Sequence, residues 1–408
     1  MSAEVRELRR GGEAVADVPR YWFRPSHRSL VKPAVRSAAD LVDVSRAPCD
    51  AVLVPSHLHP ERLGTAADLA ARLACVLIVV CTTGRQTSIA SPLRRRLRQL
   101  RTTWVLAFDW PAPMPLRGLL TPREAGATSV KHKDVAAKRN TGLALARMLG
   151  WRRMLFLDDD VRGLSASSVR AACRRLGDAG RQAVSWHLCR FEDNSVVCHA
   201  RRLSGREQDT FIGGGALAVD VTSQLPIFPP VYNEDWLFLH QLLGAGAVEA
   251  GGDVRQLRFD PFGLPERAKD EEFGDILAEG VFHLLHEEAT IGVAEHSAYW
   301  GDVVEIRRAV ISEVSRSLRA RLLHPPGIFT GRGARSVTER ALVSLDVAAA
   351  VHSREDLPKH LASFVRAWRA DLRRWHAWYG GLPRVDDVED ALRFLGMANW
   401  SLTIVDGL

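Results

Sequence analysis

The sequence predicts an α/β protein. A mainly parallel, doubly wound sheet flanked by helices precedes a mostly helical C-terminal region. Between residues 50 and 157, short apolar runs that end in polar residues alternate with helical patterns. From about residue 265 the strand signal gives way to helical periodicity. The expected organisation is a lead-in over residues 1–48, an α/β domain over 49–265 and a helical region over 266–408.

The first strand reads at Ala51-Val52-Leu53-Val54 and stops at Pro55-Ser56. A helix follows from Pro60 to Leu73, with proline suited to the first turn. A second strand runs from Cys75 to Cys81, and a third from Thr103 to Phe108 ends in Asp109. Asp134 opens a helix that Gly150 stops, and Met154–Leu157 is the fourth strand. Beyond it come a helix over 165–176, strands near 183–189 and 195–200, and an apolar segment, Phe211–Val219, that contains three glycines. In such sheets ligands bind outside the carboxyl ends of the strands. Pro55, Ser56 and Asp109 fall there.

At 408 residues, with 46% hydrophobic and 25% charged residues, the chain has the composition of a soluble globular protein. Its longest apolar run, Leu73–Cys81, is too short to span a bilayer. The charged N-terminus lacks an apolar segment after it, so a cytoplasmic location is expected. Six cysteines without a C-x-x-C pair read as reduced thiols rather than disulfides or a zinc site. The net charge of +7 is spread along the chain, and no nucleic-acid-binding motif accompanies it.

Leu155-Phe156-Leu157-Asp158-Asp159-Asp160 carries the chemistry. Three carboxylates at the end of a buried strand repel one another unless a cation neutralises them. Carboxylate oxygens are hard ligands for Mg2+ or Mn2+, and such sites usually fill their remaining positions with substrate phosphate. A competing reading is that the aspartates only introduce the next helix, for which Ser165 is a good cap.

Three elements follow in order. Ala137-Lys138-Arg139-Asn140-Thr141-Gly142 lies on a helix, the aspartate triplet ends the next strand, and Asn233-Glu234-Asp235-Trp236 follows the Gly213-Gly214-Gly215 segment. This order resembles the GT-A-fold glycosyltransferases, in particular the family 2 type, over roughly residues 50–245. The resemblance implies a Rossmann-like GT-A sheet and a metal-dependent enzyme. Its substrates would be a nucleotide-sugar donor and an acceptor hydroxyl on a glycan, lipid-linked or small molecule. It implies Mn2+ or Mg2+ at Asp158 and Asp160, with Asp158 also toward the ribose. Pro55, Ser56 and Asp109 would lie near the nucleotide base, Lys138 and Arg139 near the diphosphate, and Asn140 would also bind the nucleotide-sugar. Gly213, Gly214 and Gly215 would let backbone approach the sugar. In inverting members the Glu-Asp pair supplies the base, which points to Asp235, with Glu234 beside it. Thr82-Thr83-Gly84 departs from the usual acidic residue after the second strand.

Each motif also has a plain structural reading: first-turn helix residues for Lys138 and Arg139, a strand bend for the glycines, helix-start acids for Glu234 and Asp235. A nucleotidyltransferase making nucleotide-sugars is a second enzymatic reading. It would favour a glycine-rich loop where His57-Leu58-His59-Pro60 stands. A non-catalytic sugar-nucleotide binder is a third. In the helical region Phe364, Trp368, Trp375 and Trp378 recur at helical spacing and read as a packing face.

Overall fold

The computed structural model describes residues 24, 26–33, 49–56, 62–83, 102–109, 114–124, 130–189, 194–209, 211–323, 332–396 and 400–406. Most of the lead-in, the 57–60 loop and the start of the expected first helix lie outside the described residues.

In chain order the elements are β1 (Ala51–Ser56), α1 (Gly64–Leu73), β2 (Val76–Thr83), β3 (Thr102–Asp109), α2 (Thr121–Glu124) and α3 (Val130–Met148). Next come β4 (Arg153–Leu157), β5 (Val161–Arg162), α4 (Ala166–Arg175), β6 (Ala183–Cys189) and α5 (Val196–Leu203). They lead to β7 (Ile212–Asp220), α6 (Glu234–Gly244) and β8 (Val248–Gln256). The helical region holds α7 (Arg267–His286), α8 (Ser297–Leu323), α9 (Arg332–Val351), α10 (Leu357–Gly380) and α11 (Val388–Phe394), and the chain closes with β9 (Trp400–Asp406).

The strands form one nine-stranded sheet in the order β5-β8-β6-β7-β4-β1-β2-β3-β9. The expectation of a mainly parallel sheet is corrected: the sheet is mixed. β4, β1, β2 and β3 run parallel, as do β6 and β8. β7 is antiparallel to both its neighbours, and β5 and β9 are antiparallel to theirs. The reversal of β7 has a consequence for the site. Leu157 at the end of β4 pairs with Ala216, so the glycines at the start of β7 lie beside the aspartate triplet.

The central strands are buried on both faces, which is why they read as continuous apolar runs. Alternation divides them between two cores. Val52, Val54, Leu77 and Val79 pack with α1 and α4. Leu53, Ile78, Val80 and Phe156 pack with α3 and with residues of α6, α7 and α10. The same core continues to Leu392 and Leu395, so the helical region is packed on the sheet, and β9 returns to pair with β3.

Two local expectations change. Residues 195–200, read as a strand, begin α5, because the Ser195 hydroxyl accepts from the Cys198 amide at 3.2 Å and caps a helix. The helix expected to begin at Asp134 begins at Val130, which places Lys138 in mid-helix. The aromatic face of α10 packs inward: Phe364, Trp368 and Trp375 are buried, and the Trp375 indole donates to the Leu225 carbonyl at 3.0 Å. Among the described residues no helix is long and apolar enough to cross a membrane.

Candidate active site

A cleft of about 630 Å³ opens at the carboxyl end of β4, lined in part by Arg139, Asp158, Asp160, Gly213, Glu234 and Asp235. The three aspartates leave β4 in different directions. The Asp158 amide extends the ladder by donating to the Gly215 carbonyl at 2.9 Å, and its carboxylate meets Arg139 Nη2 at 3.0 Å. Asp159 accepts from the Ser56 hydroxyl at 3.1 Å and lies 3.7 Å from Arg62. Asp160 accepts from the Gln256 amide at 3.2 Å, while its carbonyl accepts from the Leu257 amide at 3.0 Å, across the β5–β8 pair. Each carboxylate therefore has a protein donor. Charge repulsion alone does not require a cation, as the sequence argument had it.

Arg139 is the hub of the site. Its Nη1 donates to Glu234 at 2.7 Å while Nη2 holds Asp158, and its Cζ sits 5.6 Å from the centre of the Phe228 ring. The guanidinium is 3% exposed, so both pairs act in a poorly screened environment.

The glycine triplet makes room for this cluster. A Cβ on Gly213 would lie 2.6 Å from Asp235 Oδ2, and one on Gly214 would lie 2.3 Å from Arg139 Nη1. On Gly215 it would meet Leu188 at 2.9 Å and Asp158 at 3.5 Å. Three consecutive absent side chains let three charged groups press against one strand.

Glu234 and Asp235 start α6 after Asn233, whose φ of 62° is left-handed. Asp235 Oδ2 accepts from the Gly214 amide at 2.6 Å and Oδ1 from the Trp236 amide at 2.9 Å, so both oxygens are fixed by backbone. Burial raises the Glu234 carboxyl to about 8, with Asp235 adding to the rise and Arg139 opposing it. Burial also raises Asp158 to about 6, against Arg139 and with help from Asp160 and Asp235. Burial would lower Arg139, but Asp158, Glu234 and Asp235 outweigh it and raise its pKa. The guanidinium stays charged.

Several expected site residues stand elsewhere. Lys138 was assigned to the diphosphate, but it is 1% exposed, paired with buried Asp134 at 2.6 Å and donating to the Ser56 carbonyl at 2.9 Å. It braces the end of β1 from inside. Asn140 is also buried and exchanges two hydrogen bonds with Phe228, donating at 2.8 Å and accepting at 2.9 Å. Its role is to hold the Phe228 segment, on which Arg139 rests. Pro55 and Ser56 end β1 and do not line the cleft; the Ser56 hydroxyl donates to Asp159. Asp109 ends β3 in register with Thr83, and its side chain is outside the description. Trp236 of the Glu-Asp motif lines the cleft, and so do Arg62, Gln256, Tyr232 and Phe259. For the last four the sequence gives no sign.

Among the described residues, no group of three or more His, Cys, Asp or Glu side chains is placed to hold a metal ion. Of the carboxylates on the cleft wall, Asp158 and Asp160 are the two that leave the end of β4. Two hard oxygen donors fit a cation of the Mg2+ type that takes its other ligands from phosphate and water, rather than an all-protein cage.

No known family profile matches the chain, and no curated protein matches it. Among solved structures the chain is similar to the mannosyltransferase PcManGT from Pyrobaculum calidifontis, determined in complex with GDP-Man and Mn2+. The identity is 15%, the match covers 81% of this chain and 88% of that one, and the TM-score is 0.39. That is a loose likeness of chain path. No residue or activity is carried over from it.

Proposed function

We propose that this protein is a glycosyltransferase that moves a sugar from a nucleotide-sugar to an acceptor hydroxyl with inversion at the anomeric carbon. One observation carries the reading. Asp235, far from Asp158 and Asp160 in sequence, lines one cleft with them, and the glycine strand packs against Asp235 and Arg139.

Asp158 and Asp160 would hold a divalent cation with the donor diphosphate. When bound, it would act as a Lewis acid toward the charge that gathers on the departing nucleoside diphosphate. Arg139 holds Asp158 in place and opposes the rise that burial imposes on its pKa. Asp235 takes the proton of the acceptor hydroxyl as it attacks from the face opposite the diphosphate. The backbone bonds to both its oxygens fix its direction, so little reorganisation accompanies proton transfer. Glu234, committed to Arg139, positions the guanidinium rather than the proton.

The test is a panel of UDP-, GDP- and dTDP-sugars assayed for hydrolysis with Mn2+, Mg2+ or chelator, since transferases commonly pass sugar slowly to water. Metal-dependent release of one nucleoside diphosphate is expected. No turnover or binding across the panel would remove the reading.

A further inference from the structure

We propose that Asp275 on α7 is a positioning residue for the Glu234–Asp235 turn, held there by Arg307 of α8. The inference rests on Asp235 as the base. Asn233, directly before the turn, is a non-glycine residue in the left-handed region, a conformation that persists only where the surroundings hold it. Its side chain does not cap α6. Instead Nδ2 donates to Asp275 Oδ1 at 3.1 Å.

Asp275 is itself fixed. Its Oδ2 accepts from the Ser195 hydroxyl at 2.7 Å and from Arg307 Nη2. Arg307 also donates to both oxygens of Glu272, at 2.9 and 3.1 Å, and Glu272 meets His352 Nε2 at 2.8 Å. All four of these charged or titratable residues are buried. A second contact on α7 acts on the same turn. A Cβ at Gly274 would lie 2.2 Å from the Tyr232 carbonyl oxygen, so the helix backbone bears directly on the residue before Asn233. Two consecutive α7 residues thus fix residues 232 and 233, one by contact and one by a hydrogen bond. Asp275 is not among the residues that line the cleft, so it acts through Asn233.

Buried ionic networks are weak sources of stability, and specifying one geometry is the better-attested use of such groups. Here the specified geometry ends at the bond from the Gly214 amide to Asp235 Oδ2. Asp275 thereby reaches the reacting groups from outside the cleft, which α7 otherwise lines through Arg267, Asp270 and Glu271.

Asn233→Gly separates positioning from folding, because glycine adopts the left-handed conformation freely but cannot reach Asp275. In the full-length protein the Gly214 amide should exchange with deuterium on the order of tenfold faster, with melting temperature within about 2 °C of wild type. For hydrolysis of the active UDP-, GDP- or dTDP-sugar, kcat should fall on the order of tenfold or more with KM unchanged. Asp275→Asn, whose amide oxygen can still accept from Asn233, should retain more of kcat than Asp275→Ala. Wild-type Gly214 exchange and kcat in Asn233→Gly would overturn the inference, as would a general loss of protection across the sheet. If Asp235→Asn is fully active, the base assignment falls, and Gly214 exchange still decides the positioning role.

Discussion

One methyl group at Gly214 should disable the site. Built on the observed backbone, that Cβ would lie 2.3 Å from Nη1, 2.6 Å from Cζ and 2.9 Å from Nη2 of Arg139. All three atoms belong to one planar group, so the guanidinium has to move as a whole. The guanidinium must move by about 1 Å to reach ordinary carbon contact distance. It is held at 2.7 Å by Glu234 and 3.0 Å by Asp158, and a shift of that size takes either bond beyond hydrogen-bonding range. Overpacking costs about 1–3 kcal/mol, and breaking a buried pair about 3–5 kcal/mol. Because the pair is broken, Gly214→Ala should lower unfolding stability by about 3–5 kcal/mol. Gly301, in α8, has no atom within 4 Å of its notional Cβ. There the same substitution should stabilise, by up to about 1 kcal/mol, through helix propensity. Denaturant unfolding of both variants checks the contrast. A Gly214→Ala protein as stable as wild type would refute the packing argument.

Other expectations concern the acids and the buried lysine. Asp235→Asn can keep only one of its two backbone acceptor bonds, so it should lose about 1 kcal/mol of stability while turnover falls roughly a hundredfold or more. Unchanged turnover would remove Asp235 as the base, and product of retained configuration would remove inversion. Lys138→Met leaves Asp134 buried without its cation, which should destabilise by about 3–5 kcal/mol, whereas the double replacement Asp134→Leu/Lys138→Met should be milder. Equal melting temperatures for the single and double variants would contradict this. Burial raises Glu271 from 4.5 to about 7, against the lowering by Arg267. A carboxyl with a raised folded pKa favours the fold below pH 4.5 and loses that contribution as pH climbs through 7, a span on the order of 3 kcal/mol. Glu271→Gln should flatten the stability profile across that window, and an unaltered profile would place the titration elsewhere.

The parallel half of the sheet is legible in the sequence because β1, β2 and β4 are buried on both faces and therefore appear as unbroken apolar runs. β9 is not legible as part of that sheet. It pairs with β3 after the whole helical region has intervened, and no local signal reports such a partner. At 195–200 the expected strand gives way to a helix, because the Ser195 side chain caps it by accepting from the Cys198 amide. The cleft was half legible. The order of the aspartate triplet, the glycines and Glu234-Asp235 marks residues that do converge. Lys138 and Asn140 belong to the same motif yet point inward, since helical phase relative to the core, not adjacency to Arg139, decides which residue faces the cleft. Partners of the aspartates lie 19 residues away for Arg139 and 103 for Ser56, and only the fold supplies them.

Titration calorimetry with UDP and GDP, in Mn2+ and in chelator, bears most directly on the proposed donor site. Binding of one nucleotide that requires the cation, and that is lost in Asp160→Ala while surviving in Asp235→Asn, is the result expected of a diphosphate held at Asp158 and Asp160. Equal affinity in chelator, or full affinity in Asp160→Ala, would contradict it.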